Sequence, residues 1–180
     1  MFREDKTTQM AARFLTLAQG RLPYILLMKM LYLADKQMLL KWGSPITYDR
    51  WIAMQYGPVL SATLNLINSK TGQVTYWSTH IAIESYDAVL KTNPGDDDLS
   101  DAEDTIIDQI FSEYGHIDQW DVVKLTHSLP EWDDPGATST PISYERVLED
   151  SGLFTRQDVK GILGNIAMQD EIREIRELIA

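Results

Sequence analysis

Residues 31–59 read LYLADKQMLLKWGSPITYDRWIAMQYGPV, and the punctuation of this stretch decides how the rest of the chain is organised. It begins inside an apolar helical run, stops at Trp42-Gly43, turns at Ser44-Pro45, continues as an extended aromatic segment and closes on Tyr56-Gly57-Pro58-Val59. Upstream, the pattern predicts a helix from Pro23 through Trp42, because proline suits the first helical turn and a glycine just past the end terminates it. Tyr24, Leu27, Leu31 and Ala34 share one side of that helix, and Met30, Leu33 and Met38 lie close by. Apolar surface that wraps more than one face predicts a central helix, covered on most sides. Downstream, residues 46–54 are expected to be extended, with Tyr48 and Trp51 supplying aromatic surface. Pro58 restricts Gly57 and fixes its own backbone, so the chain should break there and hold Tyr56 against whatever the next helix packs on.

Working outward, Thr7 or Thr8 is expected to cap a first helix carrying Met10, Phe14, Leu15 and Ala18, with Gly20 just past its end. After the Tyr-Gly-Pro segment a helix is expected from about Val59 to Lys70, ending near Gly72. Residues 76–92 change to alternating periodicity, with Ile81, Ile83 and Val89 split by Glu84-Ser85-Tyr86-Asp87, which predicts a β-hairpin. Ser100-Asp101-Ala102-Glu103 fits a capping box and opens a helix through Ile106, Ile107, Ile110, Phe111 and Tyr114 to Gly115. Asp118 is expected to cap a helix from Gln119 to about Ser128 that buries Trp120 and Val123. Residues 131–141, EWDDPGATSTP, are expected to form a loop. Ser143 caps a short helix, and Thr155 with Asp158 caps a last helical region interrupted by Gly161 and Gly164. Its tail aligns Met168, Ile172, Ile175 and Ile179 on one side, with Arg173, Glu174, Arg176 and Glu177 opposite. That stripe can pack on the body or pair with another chain, and burial within the same molecule is the expectation. The fold class is therefore mainly α: a compact helical domain with a small β-hairpin or short antiparallel sheet, one domain over residues 1–180.

At 180 residues, with 44% apolar and 9% aromatic content, the chain can bury a substantial core. The absence of cysteine excludes disulfides and thiolate metal sites. Together with an opening Met-Phe-Arg-Glu-Asp-Lys too polar for a signal peptide, this predicts a cytoplasmic protein. The apolar run of residues 22–34 contains Lys29 and falls short of the roughly 20 residues needed to span a bilayer, so no membrane partner is expected. Net charge is −11 and unevenly spread: residues 1–60 hold eight Lys/Arg against four Asp/Glu, whereas residues 96–134 hold thirteen Asp/Glu and only Lys124. The molecule should be electrically lopsided, its acidic face repelling phosphate backbones and steering basic partners toward itself.

No catalytic constellation accompanies this pattern. His80, His116 and His127 are far apart, and Pro130 lies between His127 and Glu131, so no metal site is expected. Thr138-Ser139-Thr140 lies in a polar loop without a neighbouring base. Asp96, Asp97 and Asp98 are expected to be exposed, without the burial that catalytic acids need. Gly161 and Gly164 are not part of a phosphate-binding loop and read as helix-packing or kink residues. The chain is accordingly read as a binding protein without cofactor or metal, not as an enzyme. What remains is aromatic surface: Trp42, Tyr48, Trp51, Tyr56, Trp77 and Trp132. Five tryptophans exceed the needs of a core of this size, and Trp and Tyr anchor interfaces by burying large area with few rotors. Each of these aromatics taken alone reads first as core, except Trp132, which lies in a polar acidic loop.

These residues resemble the signature of the Panacea domain, the SocA-like antitoxin family. The resemblance is carried by Leu31-Tyr32-Leu33-Ala34-Asp35, Gly43, Asp49-Arg50-Trp51 and Tyr56-Gly57-Pro58-Val59. A second block is similar as well: Leu99-Ser100, Tyr114-Gly115, Trp120 and Leu125-Thr126-His127 before a Trp. The likeness spans about residues 10–135 and leaves a C-terminal helical extension, about 143–180, unmatched. One departure is Glu131, which separates Pro130 from Trp132 where the family sets Trp close behind the turn residue. The resemblance implies the antitoxin of a type II toxin–antitoxin system, neutralising a cognate protein toxin by direct binding. Its alternatives are an adaptor delivering the toxin to a ClpXP-type protease and a prophage-encoded regulatory protein. A nucleic-acid mimic would rest on the acidic face alone. The partner-binding residues implied are Tyr48, Trp51, Tyr56, Pro58 and Trp132; direct nucleic-acid contact is not expected, and homo-oligomerisation is left open.

Overall fold

The structure is a computed structural model and describes residues 2–69 and 73–179. Among these the chain forms eight helices and two three-stranded antiparallel sheets, as the mainly α reading anticipates. Helix α1 (Glu4–Leu17) starts one turn before Thr7, so neither threonine caps it. Glu4 and Asp5 suit the positive end of the helix. The buried Thr7 and Thr8 hydroxyls instead donate back to the carbonyls of Arg3 and Glu4. After β1 (Arg21–Pro23), α2 (Tyr24–Trp42) is central as expected: Leu27, Met30, Leu31, Tyr32, Ala34 and Leu39 are all fully buried. It ends where Gly43 takes a left-handed φ of +74° and returns its N–H to Leu39.

The aromatic segment after α2 is less regular than its sequence suggests. Only Trp51–Met54 forms a strand, β2, and it turns directly into β3 (Gly57–Leu60), pairing Ala53 with Pro58 and Met54 with Gly57. Gly57-Pro58 thus opens a strand and does not break the chain. The proline is tolerated because β3 lies at the sheet edge, in the order β3-β2-β6. Helix α3 (Ser61–Asn68) follows; its expected end at Lys70 and Gly72 lies outside the described residues. Helix α4 (Tyr76–His80) precedes the predicted hairpin, β4 (Ile81–Glu84) and β5 (Asp87–Leu90), onto which β1 adds as a third strand.

Helix α5 (Asp101–Tyr114) carries the predicted Ser100–Glu103 capping box, and Asp118 caps α6 (Gln119–His127). On α6 the buried face is Val122, Val123 and Thr126, and Trp120 is 44% exposed, against the expectation of burial. The loop of residues 131–141 is not wholly irregular: β6 (Thr140–Ile142) completes the second sheet along β2. Ser143 caps α7 (Tyr144–Asp150), and α8 (Arg156–Ile179) runs without interruption through Gly161 and Gly164. A β-carbon at either glycine would meet nothing within 4 Å among the described residues, so they are neither packing nor kink residues. The expected charge imbalance is partly cancelled where α1 lies on α5: Lys6 meets Glu103 at 2.7 Å, and Arg13 meets Asp104 and Asp108 at 3.3 and 2.8 Å. Arg3 reaches Asp98 at 3.1 Å.

Candidate functional site

The Tyr32–Asp35 turn of α2 and the segment after it are joined by buried polar bonds. Asp35 is fully buried, and its carboxylate accepts from the Ile46 and Thr47 amides, the Thr47 hydroxyl and the Trp51 indole N–H at 2.7–2.9 Å. Burial pushes this carboxyl up to about 6, while the four donors pull the other way by favouring its charged form. Trp51, expected as surface, is 2% exposed and lies edge-on between Tyr32 and Tyr144, with ring centroids 5.1 and 4.8 Å away. Asp49, also buried, accepts from the Ala62 and Thr63 amides and the Thr63 hydroxyl, each at 2.8 Å. It thereby caps α3 from a distance, since Leu60 at the cap position has no side-chain acceptor. Glu131, the departure noted in the sequence, is 1% exposed; it accepts from the Tyr32 hydroxyl at 2.7 Å and pairs with Lys36.

The two halves of the sequence pattern meet at Gly57. Its φ is +92°, and a β-carbon there would lie 2.6 Å from Thr126 Oγ1, 3.0 Å from Lys29 Nζ and 3.3 Å from the His127 ring. Only glycine fits that conformation and that space. Lys29, 1% exposed, donates to the Pro58 carbonyl at 2.9 Å. Desolvation drives its pKa down to about 7. The His127 ring stacks on Trp132 with centroids 4.1 Å apart, and its buried Nε2 has no hydrogen-bond partner among the described residues. Burial first, and the Lys29 amine second, hold this imidazole below its usual value.

On the outside of this junction two aromatic side chains reach solvent. Tyr56 at the β2–β3 turn is 55% exposed and lies edge-on to Trp120, with ring centroids 5.8 Å apart. Tyr56 therefore rests on α6 and not on the helix that follows it. Asp118, the cap of α6, and Asp121 flank Trp120, and Asp121 pairs with Lys124 at 2.8 Å. Beside Tyr56 a groove of about 310 Å³ runs between α2, the β2–β3 hairpin and residues 136–138, lined by Met28, Lys29, Met54, Leu64 and Thr138. Among the remaining sequence candidates, Pro58 is buried in β3. Tyr48 is half-buried, its hydroxyl bonded to Gln169 and its ring 4.4 Å below the Arg173 guanidinium. Trp132 is half-buried and donates its indole N–H to the Met54 carbonyl at 3.2 Å, so it is not a free loop residue. Trp77 is buried and Trp42 is 60% exposed.

Sequence reasoning thus misses Trp120, although the Val122-Val123-x-x-Thr126 stripe already turns it away from the buried side of α6. It names Lys29, Asp49 and Glu131 but assigns them no partner, because their partners are distant in the chain. Among the described residues no group of His, Asp or Glu could hold a metal ion, and no helix is long and apolar enough to cross a membrane. A protein-family model described as antitoxin SocA-like, Panacea domain, matches residues 27–133. No curated protein and no solved structure matches the chain.

Proposed function

The chain belongs to the SocA-like, Panacea-domain antitoxin family, and from that premise we propose that it neutralises a cognate toxin, as the antitoxin of a type II module, by direct binding through the surface centred on Tyr56 and Trp120. The observation that carries this reading is the edge-on pair itself: two exposed aromatics, one from each block of the family pattern, set side by side at 5.8 Å. Large rigid rings of this kind supply interface area at low entropic cost. The apolar groove beside Tyr56 offers room for a partner side chain. Asp118 next to Trp120 favours a basic contact on the toxin, whereas Asp121 is already paired with Lys124. In this reading Trp51 and Pro58 act from within, by holding the hairpin that presents Tyr56, Trp132 ties the hairpin at Met54 to His127 of α6, and Tyr48 anchors the segment before it to α8.

The test is co-expression with the gene adjacent to this one, scoring growth and recovering the complex. Rescue with a stable complex, lost in a Tyr56→Ala, Trp120→Ala double variant that keeps its circular dichroism spectrum and melting temperature, is the expected result. Rescue in which the partner disappears in a protease-dependent way would replace direct neutralisation with delivery to a ClpXP-type protease. Absence of toxicity from the neighbour would point to the regulatory role.

A further inference from the structure

Helix α8 has two faces with different fates. Val159 and Ile166 are buried, and Ile162 and Leu163 pack against the core. Asp170 and Arg173 continue that side half-buried, with Arg173 over the Tyr48 ring. The apolar stripe lies elsewhere: Met168, Ile172, Ile175 and Ile179 are 54, 45, 56 and 80% exposed. At 100° per residue the centres of the two stripes fall on nearly opposite sides of the helix. A helix that docks through one stripe cannot turn the other onto the same body. The sequence expectation of burial within the molecule therefore fails for a geometric reason, and whatever covers the second stripe belongs to another chain.

We propose that the stripe pairs with its own copy, as a short parallel two-stranded coiled coil between two chains. The steps from Asn165 to Met168, Ile172, Ile175 and Ile179 are three, four, three and four residues, the alternation of a and d positions in a heptad. Ile172 and Ile179 at a with Ile175 at d would by themselves admit three or four strands; Asn165, exposed at the first a position, selects two in register when it faces itself. The flanks agree with that arrangement. Glu171 falls at g and Arg176 at the following e, both exposed. In a parallel, in-register pair each Glu171 faces Arg176 of the second copy, so opposite charges meet twice. An antiparallel pair sets g against g and e against e, and that match is lost. Two heptads alone are short, so the association is expected to be weak and strongly concentration-dependent.

Sedimentation of the full chain from low-micromolar to several-hundred-micromolar concentration tests this. A monomer–dimer equilibrium is expected, weakened at least about a hundredfold by Ile172→Asp with Ile175→Asp, since four apolar side chains are lost per dimer. Glu171→Arg should weaken it about threefold to tenfold, and Glu171→Arg combined with Arg176→Glu should restore it. These exposed positions leave the body intact, which circular dichroism and the melting temperature check. A chain that stays monomeric throughout, or a dimer untouched by the Ile→Asp pair, overturns the proposal. A dimer indifferent to Glu171→Arg overturns the parallel register. A monomer whose Ile→Asp variant no longer rescues growth assigns the stripe to the toxin, and likewise overturns pairing with a second copy. Self-association is read without toxin, so its failure is separate from failure of the Tyr56–Trp120 reading.

Discussion

Gly57 and Lys29 show how one position constrains another. The left-handed φ of Gly57 and the 2.6 Å approach of Thr126 Oγ1 to its missing β-carbon make Gly57→Ala costly on two grounds, backbone strain and overlap. A loss on the order of 2–4 kcal/mol is expected, measured as a lower urea midpoint with unchanged slope. Lys29 gives the pH signature. Its native pKa of about 7 lies below its ordinary 10.5, so between those values the unfolded chain holds a proton the native state lacks. Stability therefore rises with pH across this window, is lost as pH falls toward 7, and carries the full penalty of the buried charge below it. The swing is on the order of a few kcal/mol. In Lys29→Met this slope should vanish, leaving a pH-independent loss from the unpaired Pro58 carbonyl. Asp35 acts in a separate window. With a native pKa of about 6 against an ordinary 3.8, it contributes stability present at low pH and lost as pH rises toward 6.

Among the elements, the hairpin and α8 depart furthest from their sequence patterns. Tyr-Gly-Pro reads as punctuation, yet Gly57 and Pro58 are strand residues paired with Met54 and Ala53. An edge strand has no neighbour waiting for the missing proline N–H, and a left-handed glycine can open it. The two glycines of α8 read as structural constraints, yet each faces open space. Their cost is the ordinary one of glycine inside a helix. Gly161→Ala and Gly164→Ala should together stabilise the protein by about 1–2 kcal/mol, seen as a melting temperature several degrees higher. An unchanged or lower value would overturn the reading that both positions face open space in the folded protein.

For the whole molecule, electrostatics is set by how α1 lies on α5. Arg3, Lys6 and Arg13 take up carboxylates between Asp98 and Asp108. Part of the charge imbalance written along the chain is thus folded against itself. The acidic excess that remains on the second half includes Asp118, the cap of α6 next to Trp120, while Asp121 is paired with Lys124. Toxin binding through that surface should show an association rate that falls with added salt while dissociation changes little. Stopped-flow or surface-capture kinetics at low and high ionic strength measure both. An association rate independent of salt would separate the acidic surface from recognition.

The sequence by itself determined the fold class, the central α2 between Pro23 and Gly43, the β4–β5 hairpin and the caps at Ser100, Asp118 and Ser143. These depend on periodicity and on neighbours within about one helical turn, which the chain states directly. It also determined the family, because the spacing of Tyr32, Asp35, Asp49, Trp51 and Gly57 is itself the pattern. Only the tertiary structure decided which aromatics are buried and which are presented. Trp51 and Trp120 sit in similar local company, but Trp51 finds Asp35 sixteen residues away while Trp120 is left beside Tyr56. Burial of a tryptophan, a lysine such as Lys29 or an acid such as Glu131 depends on a partner that arrives from a distant segment, and no local pattern encodes that meeting.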